Sequence, residues 1–236
     1  MDPELPVVRL CVAGMQAEAE GRTDAAYGLF RQAWDAAGDD YEACIAAHYL
    51  ARHQGSPEET LRWNRECLDR ADLVADERVR GFYPSLYVNM GRAYRDLGQP
   101  ALAYGYFMRA AERVSELPEG QYGNWIRFAI GEGMRDTAPE AKDAATGEGP
   151  TGAVSPAPRA VEDDIDTSIR NLLWGWCARA DFVALGLTLP AYLGYLGTDE
   201  DRMRLRTALH TVHAARRLPE DEQAKLGAVI GAAALR

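Results

Sequence analysis

Apolar and small residues recur along this chain at spacings of three and four. Leu10, Ala13, Gly14 and Ala17 mark one such run, Ala26, Phe30 and Ala33 the next, and Ile169, Leu172, Leu173, Trp176 and Cys177 a later one. Residues three and four apart share one face of a helix, so the period is helical. No apolar alternation persists over five residues and β-branched residues are sparse, so strands are not expected. Alanine, leucine, arginine and glutamate dominate the composition, and all four are good helix formers. The fold class expected is all-α.

The helical runs also repeat. Gly14 and Gly91 each stand seven residues before a second glycine, Gly21 and Gly98. Beyond each pair come an alanine five residues on and a phenylalanine four further, Ala26/Phe30 and Ala103/Phe107. A degenerate copy carries Gly55 thirty-four residues after Gly21. Self-similarity at this period means stacked helix–turn–helix units. Gly14 and Gly91 are expected to face Ala26 and Ala103, small residues that let two helix backbones approach closely, with Phe30 and Phe107 filling the space where each pair diverges. Gly21, Gly55 and Gly98 should end the first helices in the left-handed conformation. Ser56-Pro57-Glu58-Glu59 reads as a capping box with proline at the first helical position, and Pro100 restarts the third unit in the same way. The stretch from Leu73 to Gly81 reads as extra helical turns on both sides of a turn.

The copy Tyr87-x2-Met90-Gly91-x2-Tyr94, then Gly98, then Ala103-x3-Phe107-x2-Ala110 resembles a tetratricopeptide repeat, whose pattern is W-x2-L-G-x2-Y…A-x3-F. Leu10-x2-Ala13-Gly14-x2-Ala17 with Ala26-x3-Phe30-x2-Ala33 keeps its small residues. Cys44-x2-Ala47-His48-x2-Ala51 with Thr60-x3-Asn64-x2-Cys67 keeps its spacing. A fourth first-helix begins near Gln121, with Trp125 where the family often has its tryptophan. The resemblance implies a tetratricopeptide-like helical-hairpin solenoid over residues 1–135, of about three repeats plus a capping helix. A flexible linker rich in proline, glycine and alanine is expected over 136–163. A small four-helix segment follows over 164–236. Asp166 or Thr167, Asp181, Thr198-Asp199-Glu200-Asp201 and Pro219-Glu220-Asp221-Glu222 mark its helix starts, and Pro190 should kink its second helix.

The net charge of −10 argues against nucleic acid as a partner, because phosphate binding needs an excess of cations on one face. No positively charged leader and no apolar run of spanning length is present, so neither a signal nor a membrane partner is expected. Cys11, Cys44, Cys67 and Cys177 show no paired spacing and read as reduced thiols in the cytoplasm.

Catalytic motifs are not found: there is no phosphate loop, no GxGxxG, no nucleophile elbow, no HExxH and no CxxC. Cys44, His48 and Cys67 could meet across two helices as a zinc or thiolate–imidazole site, or as core residues in which cysteine serves as a small hydrophobe. His210 and His213, downstream of Asp199 and Asp201, lack further ligands. Trp174, Trp176, Tyr192 and Tyr195 are expected in a core. The reading is a non-enzyme with no cofactor, no metal and no catalytic residue.

The resemblance further implies that first helices line a concave groove. Residues one step off their packing stripe are Met15 and Glu18, then Tyr49, Arg52 and His53, then Val88, Asn89, Arg92 and Arg95, then Ile126 and Ile130. Tyr49, Arg52, His53, Val88, Asn89, Arg92 and Arg95 form the expected partner-binding site. Arginine forks suit carboxylates, so the expected ligand is an acidic segment of a protein or peptide partner. Asn89 stands where similar repeats hold a peptide backbone. The lysine–asparagine set of the chaperone-tail clamp is not reproduced. The expected role is that of a cytoplasmic scaffold or adaptor. The alternative is a regulatory sensor whose groove binds a small peptide or metabolite and whose C-terminal helices read out occupancy.

Overall fold

A computed structural model of the chain describes residues 2–139 and 163–232. Among the described residues every regular element is helical. The order is α1 (Pro6–Ala19), α2 (Thr23–Asp35), α3 (Asp40–Leu50), α4 (Pro57–Val74), α5 (Glu77–Arg80), α6 (Tyr83–Asp96), α7 (Pro100–Glu112), α8 (Gln121–Thr137), α9 (Asp163–Ala178), α10 (Phe182–Leu193), α11 (Asp199–Ala214) and α12 (Glu220–Gly231). Short 3₁₀ turns follow α3 and α7. Contacts divide the chain into two compact units: α1 through α7 with the end of α8 from Glu132, and Gly120–Gly131 with α9 to α12. The expected boundary at residue 135 falls inside α8. The expected linker over 136–163 lies outside the described residues except at its ends, where Asp136 and Thr137 close α8 and Asp163 opens α9.

In the first unit, α1 packs on α2, α3 on α4 and α6 on α7; α1 also meets α3, and α4 meets α6. The turns between partners are short because local chemistry stops and restarts the chain. Gly21 and Gly98 take positive φ at +74° and +70°, a conformation open to glycine without strain. Ser56 then caps α4 by accepting the amide of Glu59 at 3.3 Å, and Pro57 and Pro100 open α4 and α7. Gly55 departs from expectation. It is not left-handed, because α3 tightens through the 3₁₀ turn Ala51–His53 and ends without such a residue. The expected extra turns between Leu73 and Gly81 are broken by Ala75 at φ 50°, after which Asp76 caps the four-residue α5.

The repeated glycines sit under aromatic rings. A Cβ on Gly91 would come within 2.9 Å of the Phe107 ring, and one on Gly14 would overlap the ring of Phe30. Ala26 and Ala103 are fully buried beside them, yet it is the ring that occupies the space opposite each glycine. Phe107 is met from a second side by Gly133 of α8. Trp125 of α8 is half-exposed, and the glycine eight residues later makes the close approach. The surrounding core gathers Val7, Cys11, Ile45, Leu50, Trp63 and Leu86.

In the second unit α9 meets α10 and α12, and α11 meets α10 and α12, around Ile169, Leu172, Trp176, Leu205, Leu209 and Leu226. Asp181 caps α10 through the amide of Ala184, and Thr198 with Asp201 forms a reciprocal capping box on α11. Trp176 donates from Nε1 to Glu222 at 3.1 Å, and Tyr192 donates to Asp166 at 2.7 Å. Of the aromatic group expected in the core, Trp174 alone is strongly exposed. A buried ion pair, Arg127 with Asp201 at 2.9 Å, fixes the first half of α8 to the start of α11. Gly194 lies beside it, where a Cβ would stand 3.0 Å from the Pro190 carbonyl oxygen and 3.4 Å from Arg127 and Phe128.

Candidate functional site

Three of the residues expected in the groove come together on the first unit. Arg52, Asn89 and Arg92 line one cleft of about 370 Å³, with Gln54, Gly55, Ser56, Pro57, Thr60 and Asp96. Each arrives from a different piece of local structure. Arg52 lies in the 3₁₀ turn that ends α3, Ser56 and Pro57 form the first turn of α4, and Asn89 and Arg92 stand one helical turn apart on α6. The start of the 18-residue α4 brings its positive dipole end to the same wall, although Pro57 has no amide hydrogen, Ser56 takes the Glu59 amide and Glu58 and Glu59 make the turn acidic.

The charges around the cleft are partly engaged. Arg52 bonds Glu18 of α1 at 2.7 Å, an exposed pair worth no more than about 1 kcal/mol and so readily exchanged. Its guanidinium also lies 6.0 Å from the centre of the Tyr49 ring. Arg92 is half-buried, and burial followed by the neighbouring Arg95 pulls its guanidinium below its ordinary value. A cation in that position gains from any anion that approaches it. Asp96 lines the same cleft and weakens the positive field at one edge.

The other expected residues are placed differently. Arg95 does not line the cleft; it lies 3.5 Å from Asp96 and from Asp136. Tyr49 stacks on Phe30 at 5.3 Å, so much of its ring serves the core. Val88 is fully buried, which contradicts its placement in a groove. The reason is that α6 is covered on nearly every side, with Tyr83, Leu86, Met90, Ala93 and Tyr94 buried as well. Ile126 and Ile130 are likewise buried. The His53 side chain lies outside the described residues. Gln54, Ser56 and Thr60 were missed, although the capping signal at Ser56 already located a helix N-terminus there.

Of Cys44, His48 and Cys67, the two cysteines meet, as interior. The two sulfurs lie 3.5 Å apart, and the Cys67 thiol donates to the Cys44 carbonyl at 3.1 Å. Burial pushes the Cys67 thiol well above its ordinary value, which opposes the reactive thiolate. His48 packs edge-on against Tyr49 and Phe82, and burial with nearby Arg52 lowers it to about 4. Among the described residues no group of three His, Cys, Asp or Glu side chains is arranged to hold a metal ion, and no helix is long and apolar enough to cross a membrane. Comparison with protein-family models, with curated proteins and with solved structures found no match.

Proposed function

We propose that the first unit is a tetratricopeptide-like scaffold whose cleft takes an extended, carboxylate-bearing segment of a partner protein. The observation that carries this reading is the convergence of Arg52, Asn89 and Arg92 on one cleft beside the N-terminus of α4. Two guanidinium forks offer planar donors to carboxylate oxygens, and the Asn89 amide offers both a donor and an acceptor to a peptide group. Glu18 models the exchange: an acidic ligand would displace one exposed carboxylate from Arg52. The helical hairpins preform this surface, so most of the ordering cost falls on the partner segment.

An array of extended peptides, acidic and neutral, tests the reading. The wild type and Arg95→Gln should retain the same acidic peptides. Arg52→Glu/Arg92→Gln should weaken them by roughly tenfold or more, and added salt should weaken all of them. Acidic peptides bound equally by the double variant would contradict it.

A further inference from the structure

The second unit carries an apolar face that its own core does not use. Among the described helices of eight or more residues, α10 is the one without a charged side chain. It turns Ala184 and Thr188 fully inward, with Leu185, Leu189 and Tyr192 packed against the core. The opposite face follows helical register through Phe182, Val183, Gly186, Leu187 and Pro190, all exposed. Phe182 is 76% exposed, Val183 54% and Leu187 42%. Leu187, Pro190 and Ala191 continue into a groove of about 490 Å³ that Met203, Arg204 and Thr207 of α11 also line, with the Arg127–Asp201 pair beneath, and Met203 is 63% exposed. A side chain on Gly186 would meet nothing, so the stripe has a notch at its middle.

From this face we infer that two copies of the chain associate through α10, packed against its symmetry mate across a two-fold axis. In a two-fold contact only the residues nearest the axis meet their own copies, so a charge at its centre would face its like. In a chain of net charge −10 that weighs against a charged helix at the axis and favours the uncharged stripe of α10 there. The notch at Gly186 admits the close approach of a second helix, with Phe182 of each copy directed along it. Arg204, bonded to Glu200 at 2.6 Å, stays at the rim. The exposed apolar side chains amount to roughly 500 Å², the size at which a monomer's patch marks an interaction site. Two copies would then bury about 1,000 Å² in all, at the lower edge of specific interfaces, so the dimer is weak and concentration-dependent.

Sedimentation velocity on the full chain from about 2 to about 300 µM tests this. The expected result is a monomer at the low end and a dimer at the high end, with a midpoint on the order of 10–100 µM. Raising the salt should tighten it, because screening relieves the repulsion between two acidic copies while apolar burial remains. Leu187→Glu should shift the midpoint at least tenfold toward monomer at unchanged helicity. Phe182→Ser, at the exposed start of the helix, should do the same if the glutamate disturbs folding. A wild type that stays monomeric throughout, or variants that dimerise as the wild type does, would overturn the inference.

Discussion

Asp201 shows how much a single side chain can hold. It accepts from Arg127, from the backbone amides of Leu196 and Thr198 and from the Thr198 hydroxyl, while almost entirely removed from water. Replacing it with alanine would strand the buried Arg127 guanidinium, at a cost of about 3–5 kcal/mol. Urea denaturation followed by circular dichroism should show that loss, and a loss under about 1 kcal/mol would remove the pair from its structural role. His48 makes a pH prediction. Its folded pKa of about 4 lies below the ordinary value of 6.5, so in that interval the unfolded chain binds the extra proton. The stabilising effect of a neutral His48 is complete above 6.5 and is lost as pH falls toward 4. Partial solvent access limits the loss to roughly 2 kcal/mol. A His48→Gln variant should lack this component when melting is compared at pH 7 and pH 4.5. Arg52 and Arg92 were legible at this scale because the resemblance to stacked helical hairpins, read with helical register, puts them off the packing stripe. Val88 was not, because the number of helices that cover α6 is a property of the assembled unit.

At the scale of the element, the repeated glycines divide by what stands opposite them. Gly91→Ala should cost about 1–3 kcal/mol, since the Phe107 ring it would strike is buried and also held by Gly133. Gly105→Ala on α7 should stabilise by about 0.5–1 kcal/mol, because its Cβ meets nothing and the helix gains backbone order. Opposite signs in thermal melts would support the packing described for α6 and α7; a stabilised Gly91→Ala would contradict it. Helix starts were readable at Ser56, Asp181 and Thr198, where a side chain does the capping, but not at Asp39 and Asp76, which cap α3 and α5 in the same way. The end of α3 was misread because a 3₁₀ turn, with the Gln54 side-chain amide donating to the Leu50 carbonyl at 2.6 Å, replaced the expected left-handed glycine.

For the whole molecule, the all-helical class followed from periodicity, whereas the division of α8 between two units did not, because one continuous helix carries no local signal of which neighbours it serves. The cleft is similarly a product of assembly, since its walls come from α3's end, α4's start and α6. Charge at this scale bears on the proposed function: an acidic chain that concentrates Arg52 and Arg92 in one cleft would repel most acidic segments and keep those that reach both forks. Affinity co-purification from the native host, with wild type and Arg52→Glu/Arg92→Gln side by side and matched in helicity, tests this most directly. The cleft reading predicts a partner protein recovered in near-stoichiometric amount with the wild type and absent with the double variant. The same proteins recovered with both, or none with either, would contradict it.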